Sequence, residues 1–480
     1  MSLYYQDPFA DIHQGDAREV LAQLPAESVQ MVCCSPPYWG LRRYSGEQEL
    51  VWGGQECEHE WGQELVRRDR GAAKGTTAQV GNQLREISGV STPQGQFCQK
   101  CGAWRGGYGL EPMAELYVEH TVEMLRAIRR VLRKDGVVFW NIGDSYAGSG
   151  QGWGTNEKQQ SNRGSSPWLT EYGYGKPPGF IGSLQPNGLK PKDLCLIPFR
   201  VALAAQADGW WVRSVIIWAK NNPMPESVRD RPTESHEYIL MLTKSARYFW
   251  DQEAVRQPLA ASSWERYEHA VSTKEEYDPL RHKTDQQGFT QSPMEVLTRA
   301  AQGVLDKGGA NLRSVWSFPS QPYAGAHFAT FPEELVKRCI LAATPEAGSC
   351  AKCGRPWVRA VEGRQPDAFN IRVRDAKAGR LDKKSGFRRT NKDQISAAET
   401  AYDERSYGGQ GRQTLGFRPA CKCNAPAVPA VVLDPFCGSG TTLAVAKALG
   451  RRAIGIDLSV EYCRMSQKRV EAVSLPLVEV

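Results

Sequence analysis

The chain begins with short apolar segments that alternate with stretches of helical spacing. Residues 17–24 carry apolar side chains at helical intervals, and residues 29–34 form a continuous apolar run typical of a buried strand. The same order returns in residues 113–133, a predicted helix, and residues 137–142, a predicted strand. Gly136 is expected to end that helix as the residue just past its last turn. Each of these stretches therefore predicts a helix that leads into a buried strand.

Further helix and strand patterns occur in the middle of the chain and near its C-terminus. Residues 198–207 predict a helix and residues 211–218 a strand. From residue 428 the chain returns to compact helix and strand patterns, which continue to about residue 473. Strands that alternate with helices favour an α/β fold with a mainly parallel sheet. The polar stretches between these patterns predict insertions into one domain.

The α/β domain is thus predicted in several parts, interrupted by inserted regions. The parts of the domain are 1–44, 111–250, 316–345 and 428–480. The inserted regions are a polar insertion at 45–110, a region of mixed pattern at 251–315 and a basic insertion at 346–427. Within the second part, the glycine-rich residues 147–188 predict a mobile loop.

Composition excludes wholesale disorder and gives a mild positive charge. Hydrophobic residues make up 41% of the 480 residues and aromatic residues 9%, which is enough for a packed core. The formal net charge is +7, and residues 364–418 alone carry 13 Lys or Arg against 7 Asp or Glu. No run approaches the roughly 18 apolar residues that a membrane helix needs. Residues 1–10 lack the apolar core of a secretory signal, so we expect a cytoplasmic protein with no membrane partner.

A glycine-rich turn stands between a strand and a helix near the C-terminus. Residues 431–433 predict a buried strand, the turn Asp434-Pro-Phe-Cys-Gly-Ser-Gly-Thr-Thr442 follows, and a helix comes next. A second strand, residues 453–456, ends at Asp457, which lies 23 positions after Asp434. Strand, glycine turn, helix, strand and acid form the layout of a nucleoside-cofactor site, in which the second acid reaches ribose hydroxyls.

The turn differs from a dinucleotide fingerprint. It holds Gly438 and Gly440 but no third glycine at the expected place, and the carboxylate of Asp434 at the strand end would repel a pyrophosphate. A carboxylate at that position suits a cationic ligand instead. S-adenosylmethionine (SAM) carries an ammonium and a sulfonium group, and it has an adenosine whose ribose Asp457 could hold. The whole series therefore indicates a SAM site and not a chance arrangement of glycines.

Two prolines end the first strong strand. In Cys34-Ser-Pro-Pro-Tyr-Trp39 the prolines remove two backbone donors, so the strand stops and its carbonyls become bare acceptors. Ser35 adds a side-chain oxygen, and Tyr38 adds a flat aromatic face. This arrangement suits a planar ring with an amino group, which would donate to Ser35 Oγ and to the carbonyl of Pro36. A proline-terminated strand with a buried tyrosine explains the segment equally well when the segment is taken alone.

Together the two motifs resemble those of the amino-DNA methyltransferases, which methylate adenine N6 or cytosine N4. Ser35–Tyr38 is similar to the (D/N/S)PP(Y/F) catalytic motif, and Asp434–Thr442 is similar to the DPFxGSGTT cofactor motif. The catalytic motif comes first and the cofactor motif last, as in the β-group of that family. Three further family-like segments occur in matching order: Ile12–Asp16; Trp218–Pro223 with Arg229, Arg231 and Glu237; and His327–Pro332. The resemblance covers about half of the chain.

The resemblance implies a fold and a set of site residues. The fold is of the SAM-dependent methyltransferase type, a Rossmann-like, mainly parallel sheet with circularly permuted motif order, in which the cofactor strand and the catalytic strand are neighbours. The implied catalytic residues are Ser35, Pro36, Pro37 and Tyr38. The implied cofactor-binding residues are Asp16, His327, Asp434, Phe436, Gly438, Gly440, Thr441 and Asp457.

The implied reaction is methyl transfer from SAM to an exocyclic amino group of a DNA base. Hydrogen bonds to Ser35 and to the Pro36 carbonyl would localise the lone pair of the amino nitrogen, and a duplex base would flip out to stack on Tyr38. Family members with Ser in the first position lean towards cytosine, although Cys34 replaces the Thr of the stricter cytosine-N4 pattern. Adenine N6 is the alternative target. Methylation of RNA or of a protein amide, and a catalytically silent zinc-containing DNA-binding protein, are further alternatives.

The 13 cysteines divide into two clusters and six others. Without an export signal, clustered cysteines favour metal sites over disulfides. Two closed tetrahedral zinc sites are predicted, one formed by Cys350, Cys353, Cys421 and Cys423 and one by Cys57, His59, Cys98 and Cys101. Free thiols in loops are the alternative to these zinc-bearing insertions. The others are expected to be small buried apolar residues: Cys33, Cys34, Cys195, Cys339, Cys437 and Cys463.

Double-stranded DNA is the expected macromolecular partner. The basic stretch 364–418 is a candidate phosphate-binding surface, with Lys383-Lys384 and Arg388-Arg389 as contributors, and a solvated linker is the alternative. Residues 251–315 occupy the place of the family's target-recognition part. No nuclease-like group of residues stands out in the sequence, which favours a modification enzyme that stands alone or whose restriction nuclease is a separate chain. The sequence leaves a homodimer open as the oligomeric state.

Overall fold

Two compact units make up the described part of the chain. The sheet unit comprises Met1–Phe249, Ser314–Thr344 and Pro429–Val480, and the insertion unit comprises Trp250–Arg313 and Pro345–Val428. The computed structural model describes residues 2–40, 49–54, 56–61, 97–147, 189–190, 192–223, 225–258, 265, 309–321, 331–361 and 414–474. None of the described helices is long and apolar enough to cross a membrane.

The secondary structure alternates between strands and helices. The strands are β1 (Ser2–Gln6), β2 (Ala10–Gln14), β3 (Val29–Cys34), β4 (Leu50–Trp52), β5 (Trp104–Gly106), β6 (Leu132–Ile142), β7 (Trp211–Ala219), β8 (His236–Thr243), β9 (Val315–Ser317), β10 (Ser349–Cys350), β11 (Trp357–Val361), β12 (Thr414–Pro419), β13 (Ala427–Val428), β14 (Val431–Asp434) and β15 (Arg452–Asp457). The helices of four residues or more are α1 (Ala17–Gln23), α2 (Ala114–Val131), α3 (Ile197–Ala207), α4 (Glu333–Ala343), α5 (Thr441–Ala448) and α6 (Val460–Glu471).

The sheet unit is built on one large sheet with the strand order β1-β2-β15-β14-β3-β6-β8-β7-β9. Neighbouring strands are parallel from β2 through β6. Strand β8 is antiparallel to β6 and to β7, and β1 is antiparallel to β2. The prediction of a mainly parallel α/β sheet is therefore confirmed, with β1 and β8 as the antiparallel members.

The strand order reverses between β14 and β3. After β14 the chain continues through α5 to β15, which lies on the side of β14 away from β3. After β3 the next strand of the sheet is β6, which lies on the side of β3 away from β14. The two central strands pair in parallel through Val432 with Met31 and Leu433 with Val32. Open α/β sheets bind ligands at the carboxyl ends of the strands where the order reverses. The sequence predicts that the strand before the glycine-rich turn and the strand before Ser35 are neighbours, and the pairing of β14 with β3 confirms this.

One boundary prediction is wrong. Helix α2 ends at Val131, and Leu132 is already extended while its N–H still donates to the carbonyl of Ile128. Gly136 therefore does not end the helix but lies within β6. A Cβ at Gly136 would come within 2.6 Å of Leu132 Cδ1 and 2.9 Å of the carbonyl oxygen of Gln30 on β3. Glycine is needed there because the two strands approach closely.

The inserted regions contain small paired strands. In the sheet unit β4 pairs with β5, and in the insertion unit β10 pairs with β13 and β11 with β12. The six cysteines expected to be buried are all buried. Several sequence predictions lie outside the described residues: the loop from 148 to 188, most of 251–315, residues 364–413 with Lys383-Lys384 and Arg388-Arg389, and His327. The predicted domain boundaries stay predictions.

Candidate functional site

The glycine-rich turn joins β14 to α5 at the carboxyl edge of the sheet. Gly438 and Gly440 both adopt positive φ angles, +51° and +80°. A Cβ on Gly440 would lie 2.8 Å from the Cα of Ser466 on α6, so this position needs glycine for its conformation and for space. Among the described residues, a Cβ on Gly438 would meet only the Phe436 carbonyl oxygen, at 3.9 Å. The turn is therefore tightly packed at Gly440 and open at Gly438.

Asp434 is the last residue of β14, and its side chain is buried. Its Oδ1 accepts a hydrogen bond of 3.0 Å from the backbone N–H of Phe436. The nearby Thr442 hydroxyl donates its one proton to the carbonyl of Cys33 instead, at 3.2 Å, and Oδ2 of Asp434 has no hydrogen-bond partner in the described part of the chain. Burial raises the pKa of Asp434 to about 7. A buried carboxyl with an unused oxygen fits the cationic groups of SAM.

Asp457 ends β15, the strand next to β14. Its Oδ2 accepts from the N–H of Gly438 at 3.0 Å, and its Oδ1 accepts from the N–H of Ser459 at 2.9 Å. Burial raises the pKa of Asp457 to about 6. Asp457 thus holds the glycine-rich turn in place, and each carboxylate oxygen has a second lone pair for a ligand hydroxyl. The two acids lie at adjoining strand ends, where the sequence spacing predicts them.

Phe436 connects the glycine-rich turn to the Ser35–Tyr38 turn through an aromatic cluster. Its ring lies 5.7 Å from the ring of Tyr108, which stacks on Tyr117 at 5.2 Å. The Tyr117 hydroxyl donates to the carbonyl of Pro37 at 3.0 Å. The predicted cofactor residue Phe436 is therefore part of the packing that supports both turns.

The first two residues of α5 have separate partners. The Thr441 hydroxyl accepts a hydrogen bond of 2.9 Å from Arg469 Nη1 on α6. Thr442 bonds the carbonyl of Cys33 on β3, as described above. The helix after the glycine-rich turn is thus tied to the strand that leads into Ser35.

Asp16, a predicted cofactor residue, caps helix α1. Its Oδ1 accepts a hydrogen bond of 2.8 Å from the N–H of Arg18, and its Oδ2 pairs with the Arg18 guanidinium at 2.6 Å. The same guanidinium reaches Glu123 at 2.9 Å. These contacts place the Asp16 carboxylate at the start of α1, where it is engaged with Arg18. A contact with a cofactor stays a prediction for Asp16.

The Ser35–Tyr38 turn follows β3 directly, and the turn and the two residues after it contact residues 109–111. The Trp39 indole donates to the carbonyl of Glu111 at 2.9 Å, and the N–H of Gly40 donates to the carbonyl of Gly109 at 2.8 Å. A Cβ on Gly109 would lie 3.0 Å from Pro37 Cβ. Because Gly109 also has a φ of +90°, this close approach requires glycine.

A hydrogen-bond network extends from this turn to three other strands. Ser35 Oγ donates to the Tyr38 hydroxyl at 3.1 Å, and that hydroxyl donates to Glu237 Oε2 at 2.6 Å. Asn141 Nδ2 donates to the Tyr38 oxygen at 2.8 Å and to Glu237 Oε2 at 2.9 Å. Lys220 Nζ donates to Glu237 Oε1 at 2.5 Å. The ends of β3, β6, β7 and β8 therefore meet in one polar group.

Sequence reasoning assigned no role to Asn141, Lys220 or Glu237, although Lys220 lies in the family-like segment Trp218–Pro223 and Glu237 was named beside it. Asn141 is the last residue but one of β6 and Lys220 directly follows β7, and both strands end in apolar runs. Glu237 stands near the start of β8, and because β8 is antiparallel its start lies at the same edge. A polar residue at the end of an apolar run was the sequence signal that could have marked Asn141 and Lys220 as candidate site residues. Pairing these residues required the strand order.

The cluster of Cys57, His59, Cys98 and Cys101 lies in the sheet unit, with all four ligand atoms within 4.8 Å of one another. The two sulfurs of Cys57 and Cys98 are 4.0 Å apart, and Cys101 Sγ is 3.5 Å from His59 Nδ1. Zinc bond lengths in a tetrahedral site imply about 3.8 Å between sulfurs and about 3.6 Å from sulfur to nitrogen. A Cβ on Gly54 would come within 2.6 Å of Cys101 Sγ, so glycine makes room for the cluster.

The cluster of Cys350, Cys353, Cys421 and Cys423 lies in the insertion unit, again with the ligand atoms within 4.8 Å of one another. Its turn matches that of the first cluster. The N–H of Gly354 donates to the carbonyl of Cys350 at 2.8 Å, and the N–H of Gly102 donates to the carbonyl of Cys98 at 2.9 Å. Both glycines have positive φ, +71° and +74°. The structure brings each predicted set of four ligands together.

Comparison with known proteins identifies the class. Residues 29–351 and 429–468 match the protein-family model described as DNA methylase, N6- and N4-type. These spans include the Ser35–Tyr38 turn and the glycine-rich turn. The chain therefore belongs to this family, the amino-DNA methyltransferases, and its fold is the α/β fold of the SAM-dependent methyltransferases.

Among individual proteins, the chain is similar to type II methyltransferases. It is 32% identical over 335 residues to M.Cfr9I of Citrobacter freundii, covering 70% of this chain and 73% of that protein. It is 28% identical over 456 residues to M.SmaI of Serratia marcescens, covering 95% and 89%. Among solved structures, the cytosine-N4-specific PvuII DNA methyltransferase aligns with a TM-score of 0.42 and 12% identity, covering 97% of this chain and 88% of that one.

Proposed function

We propose that the protein transfers the methyl group of SAM to the exocyclic amino group of a flipped base in double-stranded DNA, with cytosine N4 favoured. The observation that carries this proposal is the adjacency of the two turns. Ser35 follows β3, Asp434 ends β14, and the two strands pair in parallel. Because both turns project from the same edge of the sheet, a base amine held at one turn faces a methyl donor held at the other.

At the Ser35–Tyr38 turn, Ser35 Oγ and the Pro36 carbonyl would accept hydrogen bonds from the amino group. The amino nitrogen is a weak nucleophile because its lone pair is conjugated into the ring. Two acceptors localise that lone pair, and holding the nitrogen in line with the methyl group contributes through positioning. Tyr38 would stack on the flipped base. After the methyl transfer the amino nitrogen releases one proton to solvent water, and no covalent bond between enzyme and base is required.

At the glycine-rich turn, Asp434 and Asp457 would hold the donor. SAM supplies a methyl group activated on a sulfonium. The unused Oδ2 of Asp434 fits its ammonium or sulfonium charge, and Asp457 fits its ribose hydroxyls. The space that the described residues leave open at Gly438 would allow a ligand to approach the backbone closely. The residues present therefore fit this cofactor.

Cytosine N4 is favoured over adenine N6 because the catalytic motif begins with Ser35, and family members with Ser in that position lean towards cytosine. Adenine N6 methylation by the same residues is the alternative. The relatives M.Cfr9I and M.SmaI are type II methyltransferases, which supports a role as the modification enzyme of a restriction–modification pair.

The test is to incubate the full chain with unmethylated duplex DNA and SAM, digest the DNA and analyse its nucleosides by mass spectrometry. N4-methylcytosine is the expected product. N6-methyladenine would keep the reaction class and change the base. No methylated nucleoside from duplex or single-stranded DNA, while SAM still binds, would contradict the proposal in favour of an RNA substrate or a silent DNA-binding protein. A parallel reaction without SAM is the control.

We also propose that both cysteine clusters hold structural zinc. Each is a closed set of four ligands, which leaves no position for a catalytic water, and the first has spacings close to those of a tetrahedral zinc site. Metal analysis of protein purified without chelators should find two zinc ions per chain. Cys101→Ser and Cys353→Ser should each remove one, and the control Cys339→Ala, outside both clusters, should remove none. Zinc-free wild-type protein would contradict both sites.

A further inference from the structure

The Ser35 hydroxyl, the Tyr38 hydroxyl and the Glu237 carboxylate form a chain of two hydrogen bonds that runs from Ser35 towards Glu237. We propose that Glu237 is a positioning residue that, through Tyr38, fixes Ser35 Oγ as an acceptor for the amino group of the base. This inference rests on the proposed function and deepens it, because it assigns the origin of the polarity that the methyl transfer needs.

The direction follows from counting protons. A carboxylate can only accept, so the single phenol proton of Tyr38 goes to Glu237 Oε2, at 2.6 Å. The Tyr38 oxygen must then act as the acceptor in its 3.1 Å contact with Ser35. That contact uses the single proton of the Ser35 hydroxyl. What Ser35 Oγ then offers a base is its lone pairs, which is what an amino donor requires.

Lys220 and Asn141 fix the carboxylate in this role. Lys220 Nζ donates to Oε1 of Glu237, and Asn141 Nδ2 donates to Oε2 and to the Tyr38 oxygen. The Glu237 side chain is only 16% exposed and that of Lys220 25% exposed, so the ion pair is shielded from solvent. If Glu237 were protonated, its proton would face the N–H donor of Lys220 or of Asn141. These two donors therefore disfavour an arrangement in which Glu237 donates to the Tyr38 oxygen.

Gly143, Glu237 and Asn141 together set the place of the Tyr38 ring. A Cβ on Gly143 would lie 2.8 Å from Tyr38 Cε2, so the ring packs directly on the backbone of Gly143. The hydroxyl at the far end of the ring is held by Glu237 and Asn141. The ring is therefore fixed both at its edge and at its hydroxyl, and so is the oxygen that receives the Ser35 proton.

Glu237→Gln is the informative variant because it keeps the size of the side chain and replaces one acceptor oxygen by an NH2 donor. The single amide oxygen would go to the Lys220 cation, and the amide NH2 would then face Tyr38. The Tyr38 oxygen would accept from that NH2, and its proton would turn to Ser35. Ser35 would then present its own proton to the base amine, which is the wrong polarity.

The experiment measures kcat, KM for duplex DNA and the Kd of SAM for wild type, Glu237→Gln, Tyr38→Phe and the double variant. Glu237→Gln should lower kcat about 10- to 100-fold and leave the Kd of SAM within about twofold. Tyr38→Phe breaks the connection to Ser35 and should cost less than Glu237→Gln. The double variant should match Tyr38→Phe, because Glu237 acts through that hydroxyl. Lys220→Gln should lower kcat in the same direction by a smaller factor. Glu115→Gln, which removes a carboxylate from a surface ion pair with Arg200, is the matched control.

The outcomes separate the two proposals. A wild-type enzyme that transfers no methyl group to DNA would overturn the proposed function and this inference with it. An active wild type whose kcat is unchanged in Glu237→Gln would overturn the inference alone, and so would kcat losses that multiply in the double variant. If Glu237→Gln does not fold by circular dichroism, Lys220→Gln alone and combined with Tyr38→Phe decides by the same criterion.

Discussion

The glycine-rich turn and the Ser35–Tyr38 turn follow neighbouring strands, but their contacts come from different distances along the chain. Gly438 bonds Asp457, 19 positions away, and Ser466, 28 positions away. Tyr38 bonds Asn141 at a separation of 103 positions and Glu237 at 199. The first turn is therefore completed by the helix and strand that follow it, whereas the second depends on strands from the rest of the sheet.

This difference predicts that the two functions can be separated. Changes in the polar network should impair methyl transfer while the cofactor still binds, because the glycine-rich turn keeps its local contacts. Changes in the glycine-rich turn should weaken cofactor binding first. Phe436 and Thr442, which touch both regions, are the places where the separation is expected to be incomplete.

The largest expected effect is that of Tyr38→Ala on turnover. The change removes the stacking face and the hydroxyl that orients Ser35, so methyl transfer to DNA should fall at least about 100-fold. The Kd of SAM, measured by calorimetry, should stay within about twofold of wild type. Tyr248→Ala, on a tyrosine that contacts Arg213 away from this turn, is the control. Methyl transfer at the wild-type rate in Tyr38→Ala would contradict the assignment of catalysis to the Ser35–Tyr38 turn.

Gly440→Ala should break the glycine-rich turn itself. The new Cβ would meet the backbone of Ser466 at 2.8 Å in a residue with φ of +80°, and we expect the free energy of unfolding to fall by about 2–5 kcal/mol. Gly450→Ala is the matched control, since its φ is +71° but it has open space among the described residues. It should cost only about 1–2 kcal/mol. Equal losses in urea denaturation would mean that the contact with Ser466 is unimportant.

Cofactor binding should depend on pH through Asp434. Burial raises its pKa from 3.8 to about 7 in the folded protein. Because folding raises the pKa of this carboxyl group, the folded state binds more protons than the unfolded state between the two pKa values. The free energy of unfolding therefore falls as the pH rises from about 4 to about 7. A cationic ligand favours the ionised form, so SAM should bind about tenfold more tightly at pH 8 than at pH 6.

The pH dependence is measured by calorimetry at constant ionic strength. Asp434→Asn should remove most of it, and a smaller part from Asp457, whose pKa is raised to about 6, should remain. A Kd that does not change between pH 6 and pH 8 in the wild type would contradict the assignment of Asp434 to the cationic groups.

The smallest expected effect tests the connection between the two regions. Thr442→Val removes the hydrogen bond to the carbonyl of Cys33 and should lower the free energy of unfolding by about 0.5–1.5 kcal/mol. Thr442→Ser keeps the hydroxyl and is the control. We expect a modest fall in kcat with Thr442→Val and little change with Thr442→Ser, measured on the same duplex DNA. Identical kinetics for both variants would mean that the two turns act independently.

Much of the glycine-rich turn could be predicted from the sequence because its parts are close together in the chain. Asp434, the glycines and Asp457 lie within one strand–helix–strand unit, whose geometry is set by local backbone preferences. The same reasoning failed at Gly136, where the need for glycine comes from Gln30 on another strand. A glycine after a helical pattern has a local and a non-local explanation, and the pattern alone favours the local one.

The sequence by itself determined the α/β class, the two turns, the family and the eight metal-ligand candidates, because each depends on residue types at short spacing. The tertiary structure decided the order of the strands, and with it the meeting of Asn141, Lys220 and Glu237 at Tyr38. Strand β8 brings Glu237 there only because it enters the sheet antiparallel, between β6 and β7. Strand order depends on how whole elements bury their apolar faces, and that information is spread over the entire chain.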